Sequence, residues 1–369
     1  MTSIKLQLGP IAMSCCVAAC SGPSNPSSGP AASGGTATGG QSGAVPTAGT
    51  ATTGGTGGSF PTTGGNVSAG ASTGGKATGG AATAGTSAGG TDGGGKAGTG
   101  GSPSACPSNG WQGGKQTINT TWDGVDRQYV VHIPASYTGS TPVPLMLVIH
   151  GAHNTPAMAE SWSQMNSVAN QGGFIIAYPA GLDCWNSGRI LPGCTAADDD
   201  VGFLKNVVAE VESHACIDTK RVYATGISNG AMMAQYLGCQ AADIFAAVGG
   251  VAGPTGSCSP SRPVSVFYVH GTEDSTVGYS SAQPNVTGWA NRNGCSSTPT
   301  QVYSQGSTTC VGYQGCTAGA EVEFCTVTGM GHCWPEDQNC GPGGGPTYGV
   351  TDFKASPMMW EFFSRHTLP

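Results

Sequence analysis

The sequence predicts an α/β domain with a mostly parallel central sheet flanked by helices and stabilised by disulfides. Three observations lead there. From about Arg127 onward, short apolar runs alternate with helical patterns, as in strand-helix-strand units. Several runs are apolar without interruption, which suits strands buried on both faces. The chain has 369 residues and 15 cysteines, and those from Cys106 onward are even in number with no CxxC pair, a pattern that favours disulfides over a zinc site.

Taken from the amino terminus, Lys5 precedes a short apolar run from Ile11 to Ala19. That run is too short for a membrane span of about 20 residues and suits an export signal over residues 1–20. Val17-Ala18-Ala19-Cys20 is similar to a bacterial lipobox, in which the cysteine is lipidated and tethers the protein to a membrane; an ordinary cleaved signal peptide is the alternative. Residues 21–105 are almost wholly Gly, Ala, Ser, Thr and Pro, with Phe60 as the one aromatic side chain and Lys76, Asp92 and Lys96 as the charges. Such a segment buries too little apolar surface to offset its chain entropy, so it is expected to be a disordered linker. Residues 106–369 form the remaining domain, long enough for a substantial core.

Within that domain, Arg127 to Ile133 alternates as an early antiparallel strand, whereas Pro144 to His150 and Phe174 to Tyr178 are continuous apolar strands. Asp200 is placed to cap a helix in which Leu204, Val207, Val208, Val211 and Ala215 recur on one face. A strand at Arg221 to Thr225 leads to a helix from Ala231 to Leu237. Three further strands follow at Ala246 to Ala252, Val264 to Val269 and Val322 to Val327. Ser356 to Phe363 closes the chain as an amphipathic helix with Pro357 in its first turn. Cys184 with Cys194 and Cys333 with Cys340 are local disulfide guesses; spacing does not decide the rest.

Gly226-Ile227-Ser228-Asn229-Gly230 matches the pattern in which a serine is forced onto a tight strand-to-helix turn, with glycines admitting the crowded backbone. Ser72 and Ser87 match the same spacing, but they arise from linker composition. Only Ser228 has a strand before it and a helix after it. The Asn229 N–H then serves as one donor to a developing oxyanion, and the Ala152 N–H, in His150-Gly151-Ala152-His153 at a strand end, as the other. A serine nucleophile needs a base and an orienting carboxylate, which follow here in the order Ser, Asp, His. Asp274 follows the strand ending at Val269, with Glu273 as runner-up, and His332 follows the last strand among glycines. His366 also follows Asp274, but at the terminal helix, where a solvated or dipole-favoured role is expected. His150 and His270 suit structural, hydrogen-bonded roles.

With these residues placed, the stretch from Tyr129 to His366 resembles the polyhydroxybutyrate depolymerase and feruloyl esterase family of secreted α/β-hydrolases. The resemblance is carried by the runs Val148 to Gly151, Cys184 to Gly188, Asp199 to Leu204, Arg221 to Gly230, His270 to Asp274, Gly331 to Pro335 and Trp360 to Phe363. It implies an α/β-hydrolase fold, a catalytic set of Ser228, Asp274 and His332, and ester cleavage without a cofactor. The expected substrates are feruloyl-type esters of plant cell-wall polysaccharide, with polyhydroxybutyrate and acetylxylan as alternatives. Two positions depart from the family. Ala152 stands where many members have cysteine, which leaves a backbone donor intact. Ile227 stands where tannase-like members have a cysteine that pairs with the one after the histidine, so Cys333 needs another partner.

Trp185, Trp334 and Trp289 are candidates for an aromatic wall beside the substrate, burial as core or loop anchors being the other reading of each. Asp198, Asp199 and Asp200 fit a helix start better than a calcium site, and no metal is expected. The formal charge of −7 is scattered, which argues against nucleic acid as a partner. The chain is expected to act as a monomer, outside the cell or on its surface through Cys20. Readings of other classes are an inactive hydrolase-like module that binds carbohydrate at the cell surface, and a peptidase of the same fold.

Overall fold

In the computed structural model, residues 106–188, 191, 194, 198–337, 340 and 352–369 are described; the expected signal and linker lie outside them. The chain enters as an antiparallel pair, β1 (Gly114–Trp122) and β2 (Val125–Ile133), turned through Asp123 and Gly124, both with positive φ. There follow β3 (Val143–Ile149), β4 (Ile175–Pro179), β5 (Ile217–Gly226), β6 (Ala247–Val251) and β7 (Ser265–Gly271). A hairpin of β8 (Thr300–Gln305) and β9 (Thr308–Tyr313) then leads to β10 (Val322–Val327). All join one sheet in the order β1-β2-β4-β3-β5-β6-β7-β10-β9-β8. From β4 to β10 in that order the six central strands run parallel, and the antiparallel pairs close the two edges. This is the mostly parallel sheet of an α/β-hydrolase-like fold. Residues of β4 and β7 are buried throughout, as uninterrupted apolar runs require.

Among the described residues, six α-helices cover the sheet. On one face α3 (Asp200–His214), α4 (Asn229–Gln240) and α5 (Ala282–Arg292) bury Phe203, Val207, Leu237, Val286 and Trp289. On the other, α1 (Pro156–Ser163), α2 (Met165–Gly172) and α6 (Ala355–Ser364) bury Ala159, Met165, Met359 and Phe362. Local chemistry starts and stops them: Thr155 Oγ1 accepts from Met158 N–H before α1, and α2 ends at Gly173 in the left-handed region.

The cap of α3 differs from expectation by one residue. Asp199 accepts the Gly202 N–H at 2.8 Å, while Asp200 is already helical. Its carboxylate is needed elsewhere: it accepts from Arg127 Nη2 at 2.6 Å and from Asn186 N–H at 2.7 Å, and both side chains of this ion pair are buried. A buried guanidinium must be paired, so the fold assigns Asp200 to Arg127 and leaves capping to its neighbour.

The cysteines from Cys106 onward pair as Cys106–Cys216, Cys184–Cys194, Cys239–Cys258, Cys295–Cys316, Cys310–Cys325 and Cys333–Cys340. Both local guesses are formed, and Cys333 finds its partner in Cys340. Cys310–Cys325 ties β9 to β10 at directly opposed positions, and Cys106–Cys216 anchors the start of the domain to the start of β5. These links close loops that would otherwise add entropy to the unfolded chain.

Candidate active site

Strands β3, β5, β7 and β10 are parallel and deliver their following loops to the same carboxyl-terminal end of the sheet; Ala152, Ser228, Asp274, His332 and Trp334 come directly after them, whereas Trp185 follows β4 and Trp289 lies within α5. At the end of β5, Ser228 has φ 56° and ψ −126°, a conformation costly for a residue with a side chain. Its neighbours compel it. A Cβ on Gly226 would overlap Ile149 O and Gly230, and one on Gly230 would overlap Ile149 O and His150 O, so α4 packs against the end of β3 only with glycine at both positions. Ser228 N–H donates to Val251 O at 2.9 Å, pinning the turn to β6. Ser72 and Ser87 lie outside the described residues.

Asn229 is the first residue of α4, where the N–H has no intrahelical acceptor and the helix dipole favours negative charge. The Gly151 backbone lies beside the serine, since a Cβ there would sit 3.4 Å from Ser228 Cβ. Residues 151–154 form a turn closed by Asn154 N–H to Gly151 O, and Ala152 is within it.

That turn is clamped from the side. The Trp185 indole N–H donates to His150 O at 2.9 Å, and the Asn229 amide accepts from Trp185 N–H at 2.6 Å and donates to Trp185 O at 3.1 Å. His150 accepts Gly181 N–H on Nε2 and donates from Nδ1 to Gly151 O, which defines a neutral tautomer. Burial pushes its imidazole below the ordinary histidine range, against the opposing bond to Gly151. Outside the clamp, His153 pairs with Asp183 at 2.6 Å.

On the neighbouring loops, His332 Nδ1 lies 2.7 Å from Asp274 Oδ2; the aspartate side chain is buried and the histidine is one-fifth exposed. The two loops are laced together by Glu273 N–H to Met330 O and Gly329 N–H to Thr272 Oγ1. Burial alone would raise the Asp274 carboxyl, but hydrogen bonds from His270, His332 and Val277 N–H, with the charge of His332, hold it well below the usual carboxylate range. Glu273 is exposed, so of the two adjacent acids Asp274 is the one joined to the imidazole.

Other expectations change. Trp185, Trp289 and Trp334 are at most 1% exposed and present no wall to a substrate. Each anchors a polar partner inside the protein instead: Trp185 holds His150 O, Trp289 Nε1 donates to Gln235 Oε1, and Trp334 Nε1 donates to Ser356 Oγ. His366 is buried rather than solvated; it faces Ser265 Oγ at 3.2 Å, and burial pushes its imidazole down to about 4. The Asn229–Trp185 clamp has no signature in local spacing, because its partners are 44 residues apart. Among the described residues, His153, Cys184 and Cys194 bring metal-binding atoms together, but a disulfide consumes both sulfurs.

A cavity of about 720 Å³ lies between α2, residues 336–337 and the start of α6, and Ser228, Asp274 and His332 are not among its lining residues. Glu336 lines it. Its Oε1 accepts Ser356 N–H at 3.0 Å, its Oε2 is buried without a partner, and burial pushes the carboxyl up to about 7. A raised carboxyl favours the folded state fully below its unfolded value of about 4.5, and that contribution is lost as pH rises through about 7. Glu336→Gln, which mimics the neutral acid, is therefore expected to raise stability by about 1–3 kcal/mol at pH 8 and to leave it nearly unchanged at pH 4. Urea melts at the two pH values check this.

The family model described as Esterase PHB depolymerase matches residues 128–266. Feruloyl esterase B of Piromyces equi is 32% identical over 270 residues, which cover 66% of this chain and 46% of that protein. Feruloyl esterase D of Neurospora crassa is 29% identical over 283 residues, which cover 71% and 91%. The chain thus spans less than half the length of the first relative and most of the second. Among solved structures, acetyl xylan esterase from Aspergillus awamori superposes with a TM-score of 0.51 at 17% identity, over 68% of this chain and 99% of that one, a likeness of fold.

Proposed function

From the match of residues 128–266 to the family model described as Esterase PHB depolymerase, together with the site, we propose that the chain is a serine carboxylic-ester hydrolase. The observation that carries the reading is Ser228 on its strained turn after β5, at the same carboxyl-terminal end of the parallel strands as the Asp274–His332 pair after β7 and β10. His332 Nε2 takes the Ser228 proton as Oγ attacks the ester carbonyl carbon, and the Asn229 and Ala152 N–H groups hold the resulting oxyanion. His332 then gives its proton to the departing alkoxide. In the second step the imidazole deprotonates water, which attacks the acyl-serine, and the acid leaves as Ser228 regains its proton. Asp274 keeps the proton of His332 on Nδ1 and supports the imidazolium.

The substrate we propose is a feruloyl-type ester of plant cell-wall polysaccharide, a reading supported by the names of the two sequence relatives. A polyester is the second reading, favoured by the description of the matching family. Hydrolysis of methyl ferulate, acetylated xylan and polyhydroxybutyrate film by the native domain and by Ser228→Ala discriminates among these. Release of ferulate by the native protein alone is expected. Equal behaviour of the two proteins on every ester, with polysaccharide binding intact, favours the binding-module reading, and cleavage of peptide substrates alone favours the peptidase.

Six disulfides support an oxidising compartment, and so an exported protein. Attachment through a lipid on Cys20, with residues 21–105 as a tether, is proposed on the sequence pattern; the mass of the mature amino terminus tests it.

A further inference from the structure

The acid end of the site continues inward beyond Asp274. A carboxylate has four acceptor positions. Here Oδ1 accepts Thr276 N–H at 2.9 Å and Val277 N–H at 2.8 Å, while Oδ2 lies 2.7 Å from His332 Nδ1 and 3.1 Å from His270 Nε2. His270 is fully buried at the end of β7. Its Nε2 also lies 2.8 Å from Val277 O, which can only accept, so that nitrogen carries a proton. In the neutral ring Nδ1 is then left to accept the Tyr268 hydroxyl at 3.0 Å. The chain of contacts thus runs from Tyr268 through His270 to the carboxylate that faces His332.

We propose that Tyr268 and His270 are positioning residues that lock the rotation of the Asp274 carboxylate and divide its Oδ2 between two imidazoles, so limiting the charge that reaches His332. The proposal rests on the reading of Ser228, Asp274 and His332 given above. Two physical consequences separate it from a packing role. A carboxylate freed to rotate loses the alignment with Nδ1–H on which the His332 tautomer depends. A carboxylate relieved of the His270 bond has more negative charge to offer His332, so the imidazolium is stabilised and the base is protonated at higher pH. The titratable groups against His270 are Tyr268, Asp274 and Tyr279, whose ring meets it edge-on at 5.7 Å and whose hydroxyl pairs with Thr326; Glu273 on the same loop is exposed.

The test compares Tyr268→Phe, His270→Leu and His270→Gln with the native protein, measuring kcat and KM separately on a soluble ester across pH. Thermal melting and the NMR resonance of the His332 Nδ1–H complete the comparison. Tyr268→Phe and His270→Leu are expected to lower kcat about tenfold with KM changed less than about twofold, and to move the acid limb of kcat/KM up by about half a pH unit. His270→Gln, whose amide N–H falls near the position of Nε2, is expected to recover most of kcat. A folded Tyr268→Phe with unchanged kcat and acid limb overturns the proposal, as does an equal loss in the Leu and Gln variants that follows melting temperature alone. If His270→Leu does not fold, Tyr268→Phe and His270→Gln decide. Should the native protein cleave no ester, the reading of the site fails separately, and a His332 N–H resonance unmoved in Tyr268→Phe overturns the positioning chain by itself.

Discussion

Ser228→Ala is expected to lower kcat on the preferred ester by about 10⁶-fold, while KM and melting temperature stay close to the native values. The magnitude follows from the cooperative nature of a nucleophile and its base: without Oγ the imidazole has nothing to activate, and what survives is the contribution of the oxyanion donors and of binding. The stability expectation follows from the turn. Its conformation is imposed by Gly226 and Gly230 against the end of β3 and by Ser228 N–H on Val251 O, all of which an alanine leaves in place. Steady-state kinetics beside a thermal melt measures both. A folded variant that keeps more than about one-hundredth of native activity would remove Ser228 from the mechanism.

Asp274→Asn is the second large effect, with kcat reduced by about 10⁴-fold. The side chain receives two backbone N–H groups on Oδ1 and faces two imidazoles across Oδ2. An asparagine amide must set its NH₂ against one of these pairs of donors, because it has a single accepting oxygen. If that oxygen stays with the backbone, the NH₂ meets His332, whose Nδ1 must then accept; the proton moves to Nε2, and the base can no longer receive one from serine. Stability should fall as well, by about 3 kcal/mol at neutral pH, since donors are left buried without a partner. The sign with pH is fixed by the depressed carboxyl of the native protein. Its contribution is present above the unfolded value of about 4 and shrinks as pH falls toward the lower folded value, so native and variant should converge in acid. Denaturant melts from pH 7 to pH 2 test the onset of the convergence below pH 4, and a parallel loss through that range would contradict it.

The central strands were legible because burial on both faces leaves a continuous apolar run, as in Ile175–Pro179 and Ser265–Gly271. The edges were less so. Thr300–Gln305 is almost wholly exposed and rich in Thr, Gln and Ser, so no hydrophobic period marks it as a strand; its pairing with Thr308–Tyr313 supplies what its composition does not. Helix α5 contains both Pro284 and Gly288, which argue locally against a helix, and forms because Val286 and Trp289 fill the core.

Local sequence determined the backbone chemistry: two glycines around Ser228, a helix directly after it, and an acid and a histidine each following a later parallel strand. These are short-range constraints, written within a few residues of one another, so they survive without knowledge of the fold. Tertiary structure decided what each side chain meets. It gave Asp200 to Arg127 and capping to Asp199, turned three tryptophans from a surface wall into buried anchors, and set His270 against the carboxylate that also faces His332. The physical reason is common to all three. A buried donor, acceptor or charge must find a partner, and that partner comes from a distant element, as Arg127 does for Asp200, or from a loop whose turn only the fold sets, as Asp274 does for His270 four residues earlier, so no periodicity in the sequence announces it.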